Sequence, residues 1–155
     1  MSTRTKGFTL VEILVVMGIF GLLASVGMFL SFDFYRTFSF HSEQNKLVSV
    51  LEKARGEAIN NICIGSTCTE GKAHGVHIGS DKYTIFQTES DWASRETGVD
   101  EDIEAGGGAF QVTGLTEVVF DPLSVHTTDT GTITLTADTG QTSNITINSE
   151  GQIDW

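Results

Sequence analysis

The feature that most constrains this chain is an uninterrupted apolar stretch near its N-terminus. Residues 8–30 contain a single charged side chain, Glu12, and as a helix they would extend roughly 34 Å. That length is sufficient to cross the hydrocarbon core of a bilayer. Only Met1–Gly7 precede the stretch, with Arg4 and Lys6 and no acidic residue, so the positive-inside bias predicts a cytoplasmic N-terminus and an extracytoplasmic remainder.

A cleavable secretory signal peptide is the alternative interpretation of a basic start followed by an apolar run. The stretch is longer than the usual signal core of about 7 to 15 residues. No small-x-small cleavage site ends it, because Leu30 is followed by Ser31, Phe32 and Asp33. We therefore expect the apolar segment to remain attached to the protein.

Glu12 is the one charge within the apolar stretch. An ionised carboxylate costs up to about 3 kcal/mol at the bilayer centre and less near an end. One interpretation is that the side chain extends to the cytoplasmic headgroups. The other is that the carboxylate has a cationic partner, and the residues around it favour this second interpretation.

The segment Lys6-Gly7-Phe8-Thr9-Leu10-Val11-Glu12 resembles the class III signal of type IV prepilins and type II secretion pseudopilins. In that signal a short basic leader ends in glycine, phenylalanine follows, and a glutamate stands four residues later in an apolar segment. The resemblance implies that a membrane-embedded prepilin peptidase cleaves between Gly7 and Phe8 and methylates the new amine. Gly7 and Phe8 would then be substrate positions, and residues 1–7 a leader that is removed.

Cleavage would create a cationic amine on Phe8, one helical turn before Glu12. In the family's filaments the glutamate is thought to meet the phenylalanine amine of a neighbouring subunit, and apolar surroundings strengthen that attraction. The resemblance thus gives Glu12 a role in assembly with other pilin or pseudopilin subunits on an inner-membrane assembly platform.

Beyond the apolar stretch, hydrophobic residues at three- and four-residue spacing indicate an amphipathic helix, with Glu43 among the charged residues assigned to its other faces. The hydrophobic positions are Leu47, Val50, Leu51, Ala54, Ala58 and Ile62. Because no proline or glycine lies between Met28 and Arg55, we expect one rod from about Phe8 to Asn61. An aromatic cluster at the junction is predicted either to contact the membrane interface and neighbouring helices or to join the core: Phe32, Phe34, Tyr35, Phe38 and Phe40.

After Ile62 the pattern changes from helical to alternating. Residues 74–78 and 82–87 flank a Gly79-Ser80-Asp81 turn, which predicts a β-hairpin. Further strands are predicted at 110–112, 116–120, 132–137, 144–148 and 152–155. The expected fold is α+β and pilin-like, a long N-terminal helix packed on a C-terminal antiparallel β-sheet domain. The predicted regions are the leader 1–7, a transmembrane helix half 8–30, an amphipathic helix half 31–62 and a β-rich extracytoplasmic domain 63–155.

Three features of the outer part resemble the H-type minor pseudopilins and similar minor pilins. They are the helix-ending run 54–59, the hairpin 75–86 and the closing run Ser149-Glu150-Gly151-Gln152-Ile153. This resemblance also implies a structural subunit.

Cys63 and Cys68 lie just beyond the predicted helix, and an oxidising compartment would allow them to form a disulfide. The closed loop is short, so the bond is expected to stabilise the fold by about 2 kcal/mol at most. A zinc site that adds His74 and His77 is the alternative. It is disfavoured, because these histidines alternate to opposite faces of a strand and the spacing matches no familiar zinc finger.

Seven acidic residues lie between Glu89 and Glu104, opposed only by Arg95, and predict a solvated surface loop. Calcium is a weaker alternative, since oxygen ligands from Asp100, Asp102 and Glu104 could converge there. The segment lacks the spacing of an EF-hand, so the solvated loop is preferred.

No hydrolase elbow, phosphate loop, HExxH or dinucleotide fingerprint occurs in the sequence, so neither catalysis nor a cofactor is expected. The net charge of -11 disfavours direct binding of nucleic acid. The leading hypothesis is a minor pilin or pseudopilin, held by a single span in the inner (cytoplasmic) membrane before it enters a periplasmic or cell-surface filament. The alternative is a membrane-anchored extracytoplasmic binding module that never polymerises, although such an anchor has no use for Glu12.

Overall fold

The computed structural model describes residues 7–65, 68–124 and 126–155, and for residues 29–33 and 108 it describes the backbone alone. The basic leader residues Arg4 and Lys6 lie outside these ranges. Within them one α-helix, α1, is followed by eight β-strands. The elements are α1 (Leu10–Ile59), β1 (Ala73–Ile78), β2 (Lys82–Thr88), β3 (Glu101–Glu104), β4 (Phe110–Gly114), β5 (Glu117–Phe120), β6 (Gly131–Ala137), β7 (Thr142–Ile147) and β8 (Ile153–Asp154).

Helix α1 is the predicted rod, and it is about two residues shorter at each end than the sequence pattern suggested. It begins after Thr9, whose carbonyl oxygen accepts the first helical bond, from the Ile13 amide at 3.2 Å. It ends where Asn61 adopts a left-handed conformation, with φ of 52°. The Asn61 amide donates back to the Ala58 carbonyl, a common way for a helix to terminate.

The chain divides after Ser39 into two compact units. In the first unit, Leu10–Met28 form a helical stretch of 19 residues that is long and apolar enough to cross a membrane, and none of it is buried. The predicted apolar helix is therefore present, and its placement in a membrane stays a prediction.

The second unit, Phe40–Trp155, contains the remainder of α1 and two antiparallel sheets. One sheet has the strand order β3-β2-β1-β5, and the other has the order β4-β6-β7-β8. The predicted hairpin is confirmed as β1 and β2, paired from Ala73↔Thr88 to Ile78↔Tyr83. The α+β, pilin-like architecture is thus confirmed, with two sheets where the sequence analysis described one.

Strand β3 corrects the sequence analysis, which assigned its residues to the acidic loop. It pairs with β2 from Lys82↔Glu104 to Ile85↔Glu101. Three of its four residues are acidic and its single apolar residue is Ile103, so no hydrophobic alternation indicates a strand. The cross-strand contact between Lys82 and Asp102 offsets the weak β-propensity of its acids.

The core of the second unit joins α1 to the inner faces of both sheets. Leu47, Leu51 and Ala58 of α1 are fully buried in one cluster with residues from both sheets, including Val76 and Ile145. Strand β6 shows the period of two expected for a sheet with one solvated face, since its buried residues alternate with threonines. The C-terminal half of α1 is thereby fixed by apolar burial.

Residues 89–100, part of the predicted solvated loop, contain no buried residue and also cover the outer face of the first sheet. Trp92 packs on the cluster of Ala73, Phe86 and Val119, and its ring lies 5.1 Å from that of Phe86 in an edge-on arrangement. Gly75, opposite Phe86 in the hairpin, leaves the space that this ring occupies. Strand β2 is consequently buried on both faces after its first residue.

Candidate functional site

The candidate assembly site lies at the N-terminal end of α1, where Thr9 and Glu12 form a reciprocal cap. The Glu12 amide donates to Thr9 Oγ1 at 3.3 Å, and the Thr9 amide donates to Glu12 Oε2 at 3.4 Å. This capping box satisfies two backbone donors that a helix start leaves free. The carboxylate is thus held against Thr9, within the first turn of the helix.

The sequence analysis identified Glu12 by its charge and missed this cap. The signal for it was present, because threonine followed three residues later by glutamate is the capping-box pattern. In an apolar environment the cap lowers the cost of unpaired backbone amides and fixes the direction of the carboxylate.

The surface that follows Glu12 is apolar on every side of the helix. The large hydrophobic side chains between Leu10 and Met28 are 44–79% exposed. Such a helix requires a bilayer or other apolar helices around it.

The aromatic cluster at the junction is divided by the structure. Phe40 is buried against Leu135 and Ala137, whereas Phe34, Tyr35 and Phe38 are exposed. The side chain of Phe32 lies outside the description. Core packing is therefore confirmed for Phe40, and contact of the exposed rings with a membrane interface or with neighbouring helices stays a prediction.

Glu43 is a buried carboxylate in α1, although the sequence analysis assigned it to a polar face. Its Oε1 accepts hydrogen bonds from the Tyr83 hydroxyl and the Gly106 amide, each at 2.9 Å, and its Oε2 pairs with Lys46 at 2.8 Å. Burial, followed by the charge of Glu43, raises the pKa of Tyr83 well above its usual value. The spacing of four residues to Leu47 could have indicated that Glu43 shares the buried stripe.

The two cysteines form the predicted disulfide, with their Cα atoms 5.7 Å apart. The intervening loop is held by Gln87, whose side chain accepts from the Ile64 amide at 2.8 Å and donates to the Ile64 carbonyl at 3.3 Å. Ser66 and Thr67, between the two cysteines, lie outside the described residues. The loop is therefore attached to strand β2 by hydrogen bonds as well as closed by the Cys63–Cys68 bond.

His74 and His77 are directed to different surroundings, as their spacing suggested. His74 is 1% exposed; its Nε2 lies 2.9 Å from the Ile62 carbonyl oxygen and its Nδ1 lies 3.2 Å from a Glu57 carboxylate oxygen. The His77 ring stacks on Trp92 at 4.1 Å. Because both cysteines are in the disulfide, no thiolate is left to complete a zinc site with these rings.

The three calcium candidates have different partners. Asp100 pairs with Arg95 at 3.0 Å, Asp102 pairs with Lys82 at 2.7 Å, and the Glu104 carbonyl accepts from Lys46 at 3.1 Å. The hydrogen bond from Lys82, and then the one from Thr84, lowers the pKa of Asp102. Over the part of the chain that the structure describes, no group of three or more potential ligand residues is placed to hold a metal ion.

The basic residues of the second unit are all engaged by carboxylates of the same unit. Each lies within 4.0 Å of at least one carboxylate oxygen: Lys46, Lys53, Arg55, Lys72, Lys82 and Arg95. Phosphate groups would have to displace these pairs. Each of these cations therefore lies beside a carboxylate that partly neutralises its charge.

Two family models match the chain. The model described as Type II transport protein GspH matches residues 43–151, and the model described as Prokaryotic N-terminal methylation motif matches residues 2–28. Neither the comparison with curated proteins nor that with solved structures gives a match. The first match covers most of the second unit, and the second covers the leader, the cap and most of the apolar helix.

Proposed function

Because the chain belongs to the GspH family of type II transport proteins, within the type II secretion pseudopilins and pilins, we propose that it is a minor subunit built into a short filament. The observation that carries this proposal is the capped carboxylate Glu12 at the start of an exposed apolar helix. A simple anchor would be cheaper to insert without that charge. A subunit that must align with neighbours gains a specific contact from it.

The prepilin-type motif also supports processing by a prepilin peptidase. In this proposal the enzyme cleaves after Gly7 and methylates the amine of Phe8, and the leader 1–7 stays on the cytoplasmic side. The span then holds the mature protein in the inner membrane with its second unit outside, until the assembly platform transfers it to the filament.

Glu12 is proposed to pair with the Phe8 amine of a neighbouring subunit. In the free subunit the carboxylate accepts from the Thr9 amide, so the cap supplies a local partner before assembly. In the filament a full positive charge replaces water around Glu12, and the low dielectric strengthens the attraction. Methylation retains the charge of the amine and therefore the pairing.

We propose that the second unit is displayed on the filament and contacts other subunits, and that it does not catalyse a reaction. Its family is structural, and its buried polar groups serve the fold: Glu43 bonds Tyr83, and Gln87 bonds the disulfide loop. Its engaged cations give no reason to expect direct contact with nucleic acid. Other pilin-type subunits are the partners that this surface is proposed to meet.

The experiment expresses Glu12→Leu and Glu12→Gln variants in a strain that lacks the native chain. The amount of each variant is then measured in membranes and in sheared filaments. Both variants should insert and be cleaved like the wild type, because the leader charge and apolar length are unchanged. Filament incorporation should fall, since loss of one partner of a buried ion pair costs about 3 to 5 kcal/mol. Glu12→Asp is the control that keeps the charge.

Intact-mass measurement of the membrane-extracted protein gives a second, independent readout. A mature chain that starts at a methylated Phe8 is expected. Wild-type incorporation of Glu12→Leu would contradict the assembly role proposed for Glu12. A chain that keeps Met1 and is absent from sheared filaments would argue instead for an anchored binding module that never polymerises.

A further inference from the structure

A tight turn at residues 121–124 holds a leucine in a conformation that leucine rarely adopts. The Ser124 amide donates to the Asp121 carbonyl at 3.4 Å, and Pro122 occupies the position of the turn that proline favours. Leu123 follows with φ of 58°, where glycine or asparagine is preferred because a bulky side chain crowds the backbone. The isolated chain therefore carries backbone strain at this residue.

Nothing within the described residues compensates that strain by burial. The Leu123 side chain is 73% exposed, the most exposed large hydrophobic residue of the second unit among those described. A glycine at this position would relieve the strain and remove an exposed apolar group. Strained residues of this kind point to a role outside the fold of the single molecule.

Backbone hydrogen bonds bring Leu123 to the C-terminal end of α1. Its amide donates to the Ala58 carbonyl at 3.0 Å, and the Ile62 amide donates to the Glu57 carbonyl at 3.0 Å. Ile59 and Ile62 are also partly exposed there. Ile59, Ile62 and Leu123 are called the helix-end patch below.

The chain itself contains an apolar surface that could cover the helix-end patch. Its own apolar helix is exposed along Leu10–Met28 and has Glu12 as its single charge, so outside a bilayer that segment requires apolar contacts. The basic residues of the second unit are already paired with carboxylates. Attraction between these residues and Glu12 should therefore contribute little to the docking of such a helix. The three side chains of the helix-end patch are apolar, and the exposed Asp121 lies in the same turn as Leu123.

We propose that the helix-end patch docks the apolar N-terminal helix of a neighbouring pilin-type subunit, with Leu123 as its central contact. This inference rests on the proposed function, because it requires a filament. It adds a contact at the far end of α1 to the pairing proposed for Glu12. The occupant is identified by its chemistry, an apolar helix whose single charge lies in its first turn, rather than by the identity of the subunit.

The first test compares Leu123→Gly with wild type and with Trp155→Ala, which removes another exposed apolar side chain. Leu123→Gly should unfold at an unchanged or higher temperature, because glycine adopts the left-handed conformation without strain. Its abundance in sheared filaments should fall roughly tenfold, the effect of losing one buried leucine contact. Trp155→Ala should be incorporated normally.

The second test places the photoreactive residue p-benzoylphenylalanine at position 123 in assembled filaments and maps the adduct by mass spectrometry. An adduct within the apolar N-terminal helix of a pilin-type subunit is expected. Wild-type incorporation of Leu123→Gly, or adducts found only on lipid or on the sheet domain of a neighbour, would overturn the docking inference and leave the proposed function intact. Absence of the wild-type chain from filaments would overturn both.

Discussion

The two halves of helix α1 are stabilised in different ways. Between Leu10 and Met28 every large hydrophobic side chain is exposed, whereas Leu47, Leu51, Ala54 and Ala58 are completely buried against two sheets. Each half also contains a carboxylate, Glu12 in a capping box and Glu43 in a buried polar cluster. The first half depends on its surroundings for apolar contacts, and the second half obtains them from its own chain.

The difference also determines what each half can do. A surface that is fully packed inside one molecule cannot be exchanged between a bilayer and a filament, because each buried side chain would lose its contacts. An exposed apolar helix meets similar apolar surroundings in lipid and among other helices. The exchange between lipid and filament that we propose therefore requires an exposed first half, whereas the packed second half holds the sheet domain and the helix-end patch in place.

The largest expected effect comes from truncating matched leucines in the two halves. Leu51→Ala should lower the free energy of unfolding by about 2 to 5 kcal/mol, because it leaves a cavity between α1 and the sheets. Leu14→Ala should leave it unchanged. The measurement is denaturant unfolding in detergent followed by tryptophan fluorescence, since both tryptophans, Trp92 and Trp155, lie in the second unit. Equal losses would show that the halves are not energetically distinct.

The next effect separates the two glutamates. Glu43→Gln keeps the shape of the side chain but removes the negative charge from the group that accepts hydrogen bonds from Tyr83 and Gly106. The free energy of unfolding should therefore fall by about 1.5 to 3 kcal/mol. Glu12→Gln should not change the unfolding of the second unit and should instead reduce filament incorporation. Tyr83→Phe is the matched control, because it removes one donor and leaves the carboxylate with Lys46.

Strong local signals made much of this molecule predictable. The apolar stretch, the Gly7-Phe8-Glu12 pattern and the hairpin around residues 79–81 each depend on short-range spacing. The family matches confirm the family that the first two indicated, and the pairing of β1 with β2 confirms the hairpin. Cleavage after Gly7, methylation of Phe8 and the subunit contact of Glu12 stay predictions. Strand β3 was missed because it depends on pairing with β2, and the spacing to Leu47 could indicate the buried position of Glu43 but not its polar partners. Glu43 is satisfied by Tyr83 and Gly106, far along the chain, and no helical spacing reveals those donors.

A smaller effect is expected from the disulfide. Replacing Cys63 and Cys68 together by serine should destabilise the second unit by about 2 kcal/mol or less, because the closed loop is short and Gln87 still holds Ile64. Gln87→Ala in the oxidised protein should loosen the same loop with the bond intact. Denaturant unfolding measures the loss of stability, and protease sensitivity at residues 62–68 measures the loosening of the loop in either variant. A loss much larger than 2 kcal/mol would show that the disulfide organises more than this loop.

The smallest effect is a response to acid in residues 89–100, the cover over the outer face of the first sheet. Hydrogen bonds from Lys72, Ser94 and Lys82, respectively, lower the pKa values of Glu89, Asp91 and Asp102.

Groups with lowered pKa values contribute stability that is complete above their unfolded values, about 3.9 for Asp and 4.3 for Glu, and that is lost as the pH falls through the folded values. Below about pH 4 we therefore expect the segment that carries Trp92 to loosen before the core unfolds. Trp92 fluorescence in a Trp155→Phe variant measures this step, and far-UV circular dichroism should stay constant through it, because α1 and the inner sheet faces are held by apolar burial. Simultaneous loss of both signals would mean that residues 89–100 and the core of the second unit unfold together. The division after Ser39 would then be the one boundary in the chain between regions of different stability.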